Sequence, residues 1–185
     1  MNTRTLLSAL VRRAAHALVL LLLIAAPEAA AASSRVPIVY SVLAPESPLE
    51  PGEYLWEPQR APAGKVEIVA DIARDTLYVY RAGIEIGRTI LIYGADHKPT
   101  PIGTFPILQK KARHISNLYG APMPYMMRLT WGGVAIHGSG DVVDNRYGTH
   151  GCIGLPDEFA ALLFKVAQIG DRVTVTRNWL PQAYG

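Results

Sequence analysis

Residues 148–154 read Gly-Thr-His-Gly-Cys-Ile-Gly and contain the single cysteine of the chain, Cys152. Gly148 and Gly151 leave the backbone before the thiol open to a second molecule. His150 lies two residues before Cys152, and His137 ends a predicted strand upstream. An imidazole that takes the thiol proton makes sulfur a nucleophile, and backbone N–H groups of Gly151 and Cys152 could bind an oxyanion. The stretch therefore predicts a cysteine nucleophile on a loop.

A helix is predicted directly after this loop. Pro156 suits its first turn, and Asp157 and Glu158 suit the positive end of the helix dipole. Gly170 is expected to close the helix, and residues 172–176 are predicted to form a final strand. The apolar face of the helix consists of Phe159, Leu162, Leu163 and Val166.

Upstream of the loop the chain is predicted to form short β-strands. Residues 127–131 and 134–137 are predicted to pair as a hairpin around Gly132-Gly133. With many strands and one helix, the pattern indicates a mostly-β domain over residues 65–177, and 178–185 is expected to be a C-terminal tail. The other predicted strands are runs rich in β-branched and aromatic residues, at 66–70, 76–80, 84–93 and 105–109.

Residues 33–64 have the composition of a linker. Six prolines between Pro37 and Pro62 interrupt every possible helix or central strand. Tyr54, Leu55 and Trp56 could pack onto the domain as a strap, and a disordered spacer is the alternative.

Residues 1–32 have the features of a secretory signal peptide. Arg4, Arg12 and Arg13 precede an apolar run, Ala17–Ala26, and small residues end at 30–32 in a cleavable pattern. The run before Pro27 is shorter than the ~20 residues of a spanning helix. We therefore expect export to the periplasm or cell envelope, with the membrane involved only through the signal.

The basic charge of the chain comes mainly from this segment. The formal charge is +3, and removing residues 1–32 leaves 15 basic and 14 acidic residues. A nearly neutral remainder has no Lys/Arg stripe to follow phosphates, so a nucleic-acid partner is not expected. A single cysteine excludes an intrachain disulfide.

Other uses of the cysteine remain open from local sequence alone. A free thiol can be a buried small hydrophobe, although an exported protein that retains one unpaired cysteine needs a reason for it. A zinc site of His137, His150 and Cys152 has suitable ligands but lacks a close-spaced pair, so no metal is expected. His97 and His114 are expected to be solvated. Ser139 is expected to be a turn residue, as are Asp141, Asp144 and Asn145.

Several segments together resemble the catalytic domain of the L,D-transpeptidase (YkuD) family. His137-Gly138 followed by Thr149-His150-Gly151-Cys152 resembles the family signature, and residues 100–105 (TPIGTF) resemble a second family segment. Residues 123–126, Trp131 and 135–138 are similar to the lead-in to the first histidine. The similarity covers about 66–176.

The resemblance implies a β-sandwich or barrel in which a helix follows the nucleophile loop. It also implies attack on the peptidoglycan stem peptide between the third residue, a diamino acid, and the fourth, D-Ala. A thioester would form, D-Ala would leave, and an acceptor amine on a second stem or an envelope lipoprotein would resolve the thioester. No cofactor is implied. A hydrolytic carboxypeptidase or endopeptidase and a non-catalytic peptidoglycan-binding protein on the same fold are the alternatives.

Carried onto this sequence, the family pattern makes Cys152 the nucleophile and His137 the general base and acid. The Gly138 carbonyl would orient His137. The oxyanion site would be formed by backbone at His150 and Gly151 with Cys152, supported by Thr149. Tyr119, Tyr125 and Trp131 are candidates to line a peptide groove.

Gly154 departs from the family pattern, which usually has Arg or Asn two residues after the cysteine. Glycine supplies neither charge nor a side-chain hydrogen bond. Arg128 or Arg146 could compensate. If the missing side chain weakens the site, Gly154→Arg is expected to raise the rate.

Overall fold

The computed structural model describes residues 38–141, 143 and 148–179. The predicted signal peptide, residues 1–32, lies outside them, as do Asp144, Asn145 and Arg146. Within the described part, no helix has the length and apolar character needed to cross a membrane.

Ten strands of the described residues form two sheets. The first sheet has the order β1-β4-β3-β2-β10-β5, with β2 and β10 parallel and the other neighbours antiparallel. Its strands are β1 (Tyr54–Trp56), β2 (Glu67–Asp71), β3 (Thr76–Arg81), β4 (Ile84–Ile90), β5 (Gly103–Pro106) and β10 (Arg172–Thr176).

The second sheet has the order β6-β7-β8-β9, and its last pair, β8 and β9, is parallel. Its strands are β6 (Gln109–Lys111), β7 (Met126–Arg128), β8 (Ala135–Gly138) and β9 (Ile153–Leu155). Strand β9 was not predicted from the sequence, because three residues with a glycine in the middle and a proline directly after them carry too little pattern.

One α-helix, α1 (Asp157–Val166), follows β9 within the described residues. Asp157 and Glu158 occupy its first turn, as predicted, and Pro156 is its N-cap. The helix ends at Val166, so Gly170 lies beyond it, in the turn before β10 with a φ of 90°.

The main core lies between both sheets and α1. Ile68 and Val79 from the first sheet, Ile136 and Ile153 from the second, and Phe159 from α1 belong to one buried cluster. The predicted mostly-β fold with a helix after the cysteine loop is therefore confirmed.

The hairpin of β7 and β8 has a longer turn than predicted. Arg128 pairs with Ala135 and Met127 with Ile136, so the turn is centred on 130–133. The Thr130 hydroxyl accepts a hydrogen bond from the N–H of Val134 at 3.2 Å, and Gly133 has a φ of 103°. The side-chain bond inside the turn replaces a two-residue turn at Gly132-Gly133, which would require positive φ at both glycines.

The segment 38–64 packs on the first sheet. Strand β1 pairs with β4, and the Trp56 ring meets Phe159 of α1 edge-on at 5.4 Å. Glu85, fully buried, accepts hydrogen bonds from the N–H of Leu43 at 2.9 Å and from Arg88 at 2.7 Å. This buried ion pair fastens the proline-rich segment to β4.

The predicted C-terminal tail contains a buried residue, Trp179. Trp179 has no exposed surface, and its Nε1 donates to the Tyr80 hydroxyl at 3.1 Å. Its backbone N–H donates to Asp71 at 3.2 Å. The chain is thus held to β2 and β3 beyond the last strand.

Candidate active site

A pocket of about 730 Å³ opens beside the second sheet. It is walled by β7, β8, the loop before β9, and residues between 98 and 123. Both Cys152 and His137 line it.

The parallel pairing of β8 with β9 brings Cys152 and His137 to the same face. Ile136 pairs with Ile153 and His137 with Gly154. Paired residues point to the same side of a sheet, and successive residues alternate. Ile136 and Ile153 face the main core, so His137 and Cys152 face the pocket on the opposite side.

The loop that carries the cysteine is fixed from two directions. The N–H of Thr149 donates to the Tyr93 carbonyl at 2.8 Å, and its hydroxyl donates to the Cys152 carbonyl at 2.5 Å. Gly151 has a φ of 97°, a conformation that favours glycine. A Cβ on Gly94 would lie 2.8 Å from the Cα of Gly151, so glycine at 94 permits this approach.

The same loop presents backbone donors. Neither the N–H of Gly151 nor that of Cys152 donates to another described residue. They are available to a negatively charged oxygen of a bound molecule.

The carbonyl of Gly138, at the end of β8, orients the ring of His137. Its Nδ1 lies 2.7 Å from the Gly138 carbonyl oxygen. A carbonyl only accepts, so Nδ1 carries the proton and Nε2 keeps the lone pair of a base. The Ser139 hydroxyl lies 3.4 Å from the same Nδ1.

Asp157, at the start of α1, supports this strand end. Its Oδ1 accepts the N–H of Gly140 at 2.9 Å. A Cβ on Gly138 would overlap that Oδ1 and lie 3.1 Å from Pro124. Only glycine therefore fits at 138 without displacing the Asp157 carboxylate that supports this strand end.

The Cys152 sulfur combines burial with polar contacts. It packs beside Met123, Met126 and Ala135, and the thiol donates to the Gly133 carbonyl at 3.7 Å. Burial raises its pKa above the ordinary cysteine value. The backbone N–H of Ala135 and the charges of two pocket cations, Arg128 and Lys98, oppose that rise.

Burial also acts on His137, with the opposite sign. It lowers the pKa of the imidazole, while the Gly138 carbonyl and the Asp157 charge act to raise it and His114 lowers it further. A raised thiol pKa and a lowered imidazole pKa favour the uncharged pair at neutral pH. His137 must therefore remove the thiol proton as the sulfur attacks.

We expect alkylation of Cys152 by iodoacetamide to follow a titration midpoint above that of an ordinary thiol, because burial raises its pKa. The measurement is the alkylation rate against pH by mass spectrometry, with free cysteine as reference. A plateau already reached at or below neutral pH would indicate a thiolate–imidazolium pair and contradict this expectation.

The structure brings most of the predicted site residues to the pocket. Thr149, His150, Tyr119 and Trp131 line it, and the Tyr119 ring stacks on His150 with centroids 4.2 Å apart. Tyr125 is not brought there: it packs against the main core, 5.9 Å from the Phe164 ring. A φ of 56° turns its backbone, which sequence alternation does not show.

Several pocket residues were missed or misplaced by sequence reasoning. His114, predicted to be solvated, lines the pocket, as do Lys98, Met126 and Arg128. Arg128 and Met126 lie two residues apart on β7, so strand alternation with the correct hairpin register would have identified them.

Gly154 has no room for the side chain that the family carries. A Cβ there would overlap the Ser139 hydroxyl and lie 2.7 Å from Cγ1 of Ile92. Ser139 fills the space, so the packing argues against the sequence-based expectation that Gly154→Arg raises the rate.

We expect Gly154→Arg to lower activity and to destabilise the fold by about 1–3 kcal/mol, the usual effect of overpacking. Gly154→Ala adds only the Cβ and should show part of the same loss, and Ser139→Gly in the Gly154→Ala background should restore some of it, because only the contact with Ile92 then remains. Thermal unfolding and turnover of the four proteins are the measurements. A faster Gly154→Arg enzyme would contradict the steric account.

Among residues 38–141, 143 and 148–179, no group of three or more His, Cys, Asp or Glu side chains is arranged to hold a metal ion. His137, His150 and Cys152 do not form such a group.

Comparison with known proteins agrees with this geometry. The sequence profile of the L,D-transpeptidase catalytic domain (YkuD) matches residues 65–175. L,D-transpeptidase 1 of Mycobacterium tuberculosis is 33% identical over 123 aligned residues, covering 58% of this chain and 49% of the relative. The chain thus spans about half the length of that curated relative.

Solved structures give the same result. An L,D-transpeptidase from Stackebrandtia nassauensis superposes with a TM-score of 0.58 at 23% identity, covering 67% of this chain and 62% of that one, which shows a shared fold. The L,D-transpeptidase LdtMt1, solved in complex with imipenem, gives 0.55 at 26% identity, covering 60% and 59%. With the profile match extending over more than half of its length, the chain belongs to the L,D-transpeptidase catalytic domain (YkuD) family.

Proposed function

We propose that this chain is an exported cysteine L,D-transpeptidase that acts on tetrapeptide stems of peptidoglycan. The observation that carries the proposal is the parallel register of β8 and β9, which places His137 and Cys152 on one face of one pocket. Family membership supports the reaction class.

The first half of the reaction forms a thioester. Nε2 of His137 takes the proton of the Cys152 thiol as the sulfur attacks the carbonyl carbon of the third stem residue. The carbonyl oxygen becomes an oxyanion that accepts hydrogen bonds from the N–H groups of Gly151 and Cys152. The C–N bond then breaks, and His137 returns its proton to the departing amine of D-Ala.

The second half consumes the thioester. An acceptor amine attacks the thioester carbon, its proton passes to His137, and the C–S bond breaks. His137 then reprotonates the sulfur. The amine of a second stem gives a cross-link, and an amine of an envelope lipoprotein gives protein attachment.

The Thr149 hydroxyl supports the loop in both halves. Its hydrogen bond to the Cys152 carbonyl fixes the peptide unit next to the oxyanion donors. Tyr119 and Trp131 extend the pocket outward and offer ring surface to a peptide.

The proposal places the protein in the periplasm or cell envelope. Its support is the basic and apolar pattern of residues 1–32 and the location of the proposed substrate. Fractionation of expressing cells, with the N-terminus of the mature protein sequenced, tests it. A cytoplasmic protein that retains residues 1–32 contradicts export.

The deciding experiment is incubation of the mature protein with a disaccharide-tetrapeptide, followed by mass spectrometry. Loss of D-Ala with dimer formation supports transpeptidation. Loss of D-Ala without dimers indicates hydrolysis. Bound but unaltered substrate indicates a binding protein and overturns the proposal.

A further inference from the structure

The pocket carries charge of one sign. The described residues that line it include Lys98 and Arg128 together with three histidines, and no aspartate or glutamate is among them. Among these described residues, a carboxylate bound in the pocket would meet only positive or neutral side chains. Such a pocket attracts anions and repels cations.

Arg128 lies in the same row of the sheet as the cysteine. It pairs with Ala135 across β7 and β8. The β8–β9 register, extended by one residue, sets Ala135 opposite Cys152. The three residues therefore share the pocket face, and the backbone of Arg128 lies two strand spacings, about 10 Å, from that of Cys152.

Most N–H donors of the Arg128 guanidinium have no partner among the described residues. Its Nε donates to Oε1 of Gln109 at 3.3 Å, and no described carboxylate pairs with it. By contrast, Arg88 donates to both carboxylate oxygens of Glu85, each at 2.7 Å. Within the described part of the chain, four N–H donors of Arg128 are thus left for a ligand, in the fork that fits a carboxylate.

Lys98 supplies a second cation on the other side of the cysteine loop. Its Nζ donates to the Tyr119 hydroxyl at 2.6 Å, and Tyr119 stacks on His150. These contacts hold the ammonium group at the mouth of the pocket. The charges of Lys98 and Arg128 both act on the Cys152 thiol, so both lie within electrostatic reach of it.

We propose that Arg128 and Lys98 bind a carboxylate of the acyl donor, so that the pocket selects peptides with a free carboxylate beside the bond that Cys152 attacks. The inference rests on the proposed function for its peptide substrate. Two carboxylates qualify: the C-terminal carboxylate of the leaving residue and the side-chain carboxylate of the diamino acid.

The first test uses the single thiol and needs no peptide. Iodoacetate and iodoacetamide alkylate the sulfur by the same displacement of iodide, but only iodoacetate is negatively charged. A change in thiol ionisation affects both rates equally, so the ratio of the two rates reports the charge around the sulfur.

We expect the iodoacetate/iodoacetamide ratio to exceed that of free cysteine and to fall by roughly tenfold in Arg128→Met. Arg128→Lys should keep most of the ratio, and Lys98→Met should lower it. Arg177→Met, an exposed arginine that does not line the pocket, is the matched control and should leave it unchanged. A ratio unaffected by both Arg128→Met and Lys98→Met overturns the proposal.

The second test identifies the carboxylate. Three tetrapeptide donors are compared: the free diacid, its C-terminal amide, and the amide of the diamino-acid side chain. We expect one amide to lower kcat/KM by about tenfold, mainly through KM, and Arg128→Met to turn over the diacid no faster than that amide. The amide that lowers kcat/KM identifies the carboxylate that Arg128 and Lys98 bind.

Equal turnover of all three donors by the wild type contradicts carboxylate selection and leaves the proposed function intact. If none of the three donors is turned over, the proposed function is contradicted. The alkylation ratio then tests the charge proposal on its own.

Discussion

Cys152→Ala is expected to abolish release of D-Ala, with a fall of at least about 10³-fold in rate. The chain has one cysteine, so no second thiol can replace it. The side chain is small and partly buried beside Met123 and Met126, so its truncation should leave the fold intact. The measurement is mass spectrometry of the tetrapeptide reaction with the folded variant.

The same variant gives a second readout. If the proposed function is correct, the Cys152 thiol should be acylated by a β-lactam such as imipenem, giving a covalent adduct with the wild type and none with Cys152→Ala. Cys152→Ser is the conservative control: it keeps the shape of the side chain but offers a weaker nucleophile, and should be nearly as inactive. D-Ala release by Cys152→Ala at the wild-type rate would assign the nucleophile to another residue.

His137→Gln is expected to lower the rate by about 10²–10⁴-fold, the usual contribution of a general base. The reason is that the Cys152 thiol and the His137 imidazole are both uncharged before the reaction. Burial raises the pKa of the thiol, so few molecules carry a thiolate at neutral pH without the imidazole. Turnover of wild type and variant across a range of pH is the measurement.

The pH profiles separate catalysis from structure. In the wild type the acid limb should lie below the ordinary histidine range, since the pKa of His137 is lowered and activity is lost only as pH falls through that lowered value. In His137→Gln the residual rate should keep rising with pH as the thiol ionises. Arg177→Gln is the control and should stay near the wild-type rate, because Arg177 is exposed and does not line the pocket. An unchanged acid limb in His137→Gln would refute the assignment of the base.

Much of this site could be predicted from short segments of the sequence. Cys152 stands in a glycine-flanked loop, the helix begins where acidic residues follow Pro156, and the last strand spans the predicted residues, Arg172–Thr176. These features depend on neighbours within a few residues, and local sequence carries them.

Other features depend on distant segments. The proline-rich stretch could be spacer or strap from its sequence, because nothing local shows that Glu85 and Arg88 hold Leu43. Likewise, the sequence alone indicates that a side chain is missing at Gly154, whereas the structure shows that Ser139 occupies the space.

The reactive groups and the fold class can be read from the amino-acid sequence: one thiol, a histidine upstream, glycines that free the loop, and a mostly-β chain with a helix after the cysteine. The arrangement of these groups in space comes from the tertiary structure. Strands β8 and β9 are separate in the sequence but pair in the sheet. Their parallel register places His137 and Cys152 on the same face. The hairpin register adds Arg128 to that face, and burial, which depends on everything packed around the pair, sets the charges of thiol and imidazole.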